Sequence, residues 1–117
     1  MNRTTALRAA AYAAVAVPFA FGVLRYATTG NDLRYVWMVI ATFAAAEMVI
    51  RVGGRSGALQ RPALLAAVVL VVATAVAFGA GYVVGARNTV SMLIVSLSFG
   101  GCFAVGALLR RMAAAPA

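Results

Sequence analysis

The chain has 117 residues, 65% of them hydrophobic, and its mean hydropathy of +1.00 goes with an apolar content far above the roughly 45–50% of soluble domains. Its net charge of +8 comes from ten arginines against two acids, with neither lysine nor histidine. Such a composition excludes a soluble globular core and removes most of the residues from which catalytic or metal centres are built. The arginines are dispersed at the ends of apolar stretches and form no basic face, so the expected electrostatic partner is an anionic headgroup layer and not nucleic acid.

The first apolar stretch, about residues 6–27, follows Arg3 and Arg8, with Thr4 or Thr5 available as the N-cap, and ends at the turn-forming Thr28-Thr29-Gly30-Asn31. No small-x-small cleavage site follows it and Arg25 interrupts the expected place, so it reads as a retained span and not a signal peptide. Pro18 cannot donate to the carbonyl of Ala14 and crowds it, which predicts a kink in mid-helix. The second span, about 33–52, is entered through Asn31-Asp32, either of which can cap it. The third, about 62–86, starts at Pro62, a good first-turn residue. Asn88 or Thr89 caps the fourth, about 89–109.

Residues 1–117 therefore read as a single all-α domain, an integral membrane four-helix bundle. Its sidedness follows from charge. Arg3, Arg8, Arg51, Arg55, Arg61, Arg110 and Arg111 share one side and only Arg25, Arg34 and Arg87 the other, which predicts that both termini are cytoplasmic. Tyr26, Tyr35, Trp37 and Tyr82 fall at the outer ends of spans and Tyr12 near the inner side, in agreement with that orientation. The composition, rich in alanine, valine and arginine, resembles that of a GC-rich bacterial genome, so the expected location is the bacterial inner membrane.

Lipid removes the hydrophobic drive that packs helices in water, leaving close approach of small residues as the adhesive. Ala73, Ala77, Gly81 and Gly85 form one stripe in span three, and Ser98, Cys102 and Gly106 a second in span four, with Gly100 and Gly101 beside it. The stripes predict either tight packing of spans three and four or a face left for another copy of the chain or another subunit. Cys102, the only cysteine, excludes an intrachain disulfide and reads as a small packing residue.

Glu47 is the only acid well inside a span. Arg51 stands four residues on, in the favourable order for an intrahelical pair, so Glu47 reads either as a structural partner of Arg51 or as a proton or cation site facing the bundle interior. At the outer side Arg25, Asp32 and Arg34 are candidates for an ion pair across the short loop, and Asp32 doubles as a helix cap. No cofactor, metal site or catalytic set is expected, because Glu47, Ser96 and Cys102 lie in separate helices without a base beside either nucleophile.

Two functions fit these residues. The first is a non-catalytic membrane protein acting by helix association, as a homo-oligomer or an accessory subunit of a larger complex. The second is a small oligomeric proton-coupled transporter or channel using Glu47. Four spans with one embedded glutamate are similar to the general plan of the small multidrug resistance family, in which a glutamate exchanges protons for cationic drugs. There the glutamate stands in the first span, whereas Glu47 is in the second.

Overall fold

A computed structural model describes residues 2–28, 33–56, 61–85 and 88–114. They form four helices, α1 (Arg3–Thr28), α2 (Arg34–Ser56), α3 (Pro62–Val83) and α4 (Thr89–Ala114). All four are long and apolar enough to cross a membrane. At about 1.5 Å per residue, even α3 with its 22 residues exceeds the roughly 30 Å hydrocarbon layer.

Side-chain chemistry sets the helix ends. Asn2 caps α1, its Oδ1 accepting the Thr5 N–H at 2.8 Å. The helix thus starts ahead of the threonines expected to cap it, because an asparagine one turn earlier supplies the acceptor. Asn88 does the same for α4 through the Ser91 N–H at 3.1 Å. Pro62 opens α3, and that helix closes with the Val84 N–H donating to Ala80 O and the Gly85 N–H to Tyr82 O. Gly85 has φ +97, a left-handed conformation that suits glycine, so it ends the helix and lies beyond the packing stripe assigned to it. Asp32 and Asn31, the expected caps of α2, lie outside the described residues.

The helices are packed in the order α1–α4–α3–α2. The α3–α4 contact is the most extensive, α1 lies on α4, α2 lies on α3, and α1–α2 and α2–α4 meet much less. In α3 the buried line is Leu65, Val69, Ala73, Ala77 and Gly81, one residue per step of four. Gly81 faces Met38 of α2 and Met92 of α4, so the line points into the bundle centre and serves two neighbours. The buried line of α4 runs through Met92, Ser96, Phe99, Phe103 and Ala107. It differs from the expected Ser98–Cys102–Gly106 stripe: Ser98 is exposed and back-bonds to Ile94 O at 2.8 Å, Cys102 is half-buried, and Gly106 is buried under Val15 of α1. The intimate α3–α4 approach falls instead at Gly100, against Leu70 and Thr74.

From α1 only Ala11, Pro18 and Gly22 are buried. Pro18, the expected kink, sits on this inward face within an unbroken helical run. Its neighbours Phe19 and Phe21 fill the seam between α1, α2 and α4. Phe19 meets Phe43 and Phe103 edge-on at 5.5 and 6.5 Å, and Phe21 meets Tyr35 and Phe99 at 5.4 and 5.7 Å. The outside of the bundle carries the large aliphatic residues, among them Leu24, Val71, Val83, Val90 and Ile94, while alanine and glycine recur at the helix contacts. Water would penalise that distribution and lipid does not.

Candidate functional site

Near the arginine-rich end, a cavity of about 450 Å³ opens between α1, α2 and α4. Its α1 wall is Arg8, Ala11, Tyr12 and Val15, which recur at helical spacing and so share a face; α2 gives Phe43 and Glu47, one turn apart, and α4 gives Arg110. Val15 and Phe43 lie farther along their helices from the arginine-rich end than Arg8 and Glu47, so the wall grades from charged to apolar. Phe43 also packs on Phe103 at 5.9 Å, closing the apolar end with the aromatic cluster.

The charged centre of this site is an ion pair between Glu47 and Arg110. Arg110 Nη1 donates to Glu47 Oε1 at 2.5 Å, with the two side chains 23% exposed for Glu47 and 43% for Arg110. Arg51 is exposed and, among the described residues, makes no ion pair with Glu47. The partner therefore comes from another helix and not from the next turn of α2. The cause lies one turn back: Phe43 aims toward Phe103, Glu47 follows Phe43 on the same face, and Arg110 stands two turns beyond Phe103 on the facing side of α4. Helical side chains lean toward the N-terminus, which brings the Arg110 guanidinium back to the level of Glu47.

At the opposite end Arg25 lies with its guanidinium 5.2 Å from the centre of the Tyr35 ring, a cation–π contact between α1 and α2. Arg34 opens α2 and is exposed. Asp32, the acid assigned to these two arginines, lies outside the described residues. Tyr35 was legible in sequence only as an interface aromatic, because its contact with Arg25 needs the α1–α2 pairing. Among the described residues no group of three His, Cys, Asp or Glu is gathered as a metal site would require.

Fold and site together define the class, a bundle of four helices of membrane-spanning length in which the one acid among the described residues is held across helices by arginine. Comparison with family models, with curated proteins and with solved structures finds no match to this chain.

Proposed function

We propose that this chain is a small non-catalytic multi-pass membrane protein that acts by helix association, using the outward face of α4 to pair with a second copy. The observation that carries the reading is the exposed small-residue surface left on α4. Ser98 is exposed, a Cβ at Gly101 would meet nothing within 4 Å, and Cys102 is half-buried beside them. In lipid such a surface is an adhesive, since small residues let two backbones approach and a serine hydroxyl can bond across the contact. The Glu47–Arg110 pair supports the same reading. It ties up the embedded carboxylate as a clasp between α2 and α4.

Both termini are assigned to the cytoplasm by the excess of arginine at that end, and the lipid-facing chain to a bacterial inner membrane by composition. Two copies inserted in the same sense would pair α4 with α4 about a two-fold axis along the membrane normal, bringing the two Cys102 side chains close to that axis. Mild oxidation of membranes is then expected to link two chains through Cys102, since a disulfide forms only when the Cα atoms are within about 7 Å. Gly101→Leu is expected to lower the linked fraction roughly tenfold, the equivalent of about 1.4 kcal/mol, while leaving the melting of the bundle unchanged. Absence of a Cys102 link at any protein-to-lipid ratio, or a link indifferent to Gly101→Leu, would sink the self-association.

The cavity favours a second reading, because it opens onto Glu47. In a proton-coupled transporter Glu47 would leave Arg110 to take a proton or cation, and Glu47→Gln would abolish pH-gradient-driven flux in proteoliposomes. Under association, such proteoliposomes carry no flux with either chain.

A further inference from the structure

Helix association makes no use of the cavity between α1, α2 and α4. Glu47 and Arg110 neutralise one another there. Arg8, exposed on the facing wall, makes no ion pair or hydrogen bond with any described residue. Among the described residues the cavity therefore carries one uncompensated positive charge, with Tyr12 one turn on from Arg8 as a further donor. Beyond these groups the wall becomes Ala11, Val15 and Phe43, and the volume of about 450 Å³ falls in the range of about 300–1,000 Å³ typical of small-ligand sites.

The geometry points to a binding site for one anionic phosphodiester lipid, its phosphate held by Arg8 and Tyr12 at the rim and the first carbons of its chains laid over Val15 and Phe43. The inference rests on the membrane reading above. Three features select this ligand. A guanidinium presents a fork of N–H donors that matches phosphate oxygens. The single net positive charge matches a monoanionic headgroup; a zwitterionic one would bring a cation next to two guanidiniums. The apolar depth has no use for a free phosphate, and α1 and α2 touch each other far less than α1 touches α4 or α2 touches α3, which leaves a seam on the arginine-rich side of Phe19 through which acyl chains reach the bilayer. Arg110 neutralises the Glu47 carboxylate in this arrangement, which removes its net attraction for a metal or ammonium ion.

The test is native mass spectrometry of the full chain released from bilayers of equal phosphatidylglycerol and phosphatidylcholine. One phosphatidylglycerol per chain is expected to survive, and Arg8→Gln is expected to cut its occupancy roughly tenfold, the scale of one charge-assisted hydrogen bond. Arg61→Gln, which removes an exposed arginine from the same end but outside the cavity, is expected to leave occupancy unchanged. Arg8 is exposed and outside the core, so its variant keeps the fold, and an unchanged melting curve checks this. Equal retention of phosphatidylcholine, or equal losses in the two arginine variants, overturns the site. Displacement of the lipid by millimolar glycerol phosphate overturns the lipid assignment, leaving a soluble-anion site. Failure of the chain to enter bilayers at all would instead refute the membrane reading and is seen before any lipid is counted.

Discussion

Gly100→Leu is expected to break the contact between α3 and α4 and to give a large loss of stability. A Cβ at this position would overlap Thr74 Oγ1 and stand 3.1 Å from Thr74 N and 3.2 Å from Leu70 O. A threonine side chain can rotate away, but the two backbone atoms cannot, so even alanine must push the helices apart. Overpacking of this kind costs about 1–3 kcal/mol, and leucine adds three more heavy atoms to the same gap. The adjacent Gly101 provides the control, since its Cβ would meet nothing within 4 Å. Gly101→Ala removes a helix-weakening glycine and is expected to be neutral or slightly stabilising. Titrating the detergent-solubilised chain with sodium dodecyl sulfate and following helix content would rank the variants. Thr74→Ala is expected to recover part of the loss in Gly100→Ala and little in Gly100→Leu, a non-additivity that contacting residues show and distant ones do not. Equal stability of Gly100→Ala and Gly101→Ala would mean that α3 and α4 do not meet at this point.

The contrast between these two glycines marks how much of the fold could be read from the residues. Helix number and approximate extent follow from apolar runs interrupted by arginine, and those signals survive because the bilayer sets a minimum length that few sequences meet by accident. Rotation about each helix axis is a different matter. In water, rotation is written in the alternation of apolar and polar residues; in lipid both faces are apolar, and only side-chain size distinguishes them. Size was informative for α3, where Ala73, Ala77 and Gly81 continue the buried line begun by Leu65 and Val69. In α4 small residues occur on two faces. Ser98, Gly100, Gly101, Cys102 and Gly106 span too wide an arc for spacing alone to say which of them turn inward, and Phe99 and Phe103 decide it by packing against the aromatics of α1 and α2.

The site shows the same division. Glu47 stood out because an acid inside an apolar span is costly and therefore rare. Its partner was sought at Arg51 by the local rule of four, which ignores every arginine on another helix. Arg110 is separated from Glu47 by 63 residues, and no local pattern connects them. What could have raised it is the recurrence of an aromatic followed by a charge on both helices, Phe43 with Glu47 and Phe103 with Arg110, had the two phenylalanines been matched across the bundle first. Arg8 and Tyr12 were legible as residues of the inner end, but the cavity they form depends on how loosely α1 and α2 are paired.

The Glu47–Arg110 pair carries the second large effect, and its two halves are not equivalent. Exposed pairs contribute about 0–1 kcal/mol, and breaking a buried one costs about 3–5, so a pair with one partner 23% and the other 43% exposed falls between them, at about 1–3 kcal/mol. Arg110→Gln strands the less exposed member, a carboxylate near the apolar wall of Phe43 and Val15, and is expected to be the more damaging exchange. Glu47→Gln leaves an arginine whose long side chain can turn out to headgroups, and costs less. Arg51→Gln is expected to cost nothing measurable. The decisive quantity is the coupling in two double-mutant cycles followed by the same detergent titration: about 1 kcal/mol or more between positions 47 and 110, and close to zero between 47 and 51. A reversed result would place the carboxylate back on its own helix. It would then no longer join α2 to α4, the cavity would lose its neutralised wall, and the single positive charge assigned to Arg8 would no longer be the net charge of the site.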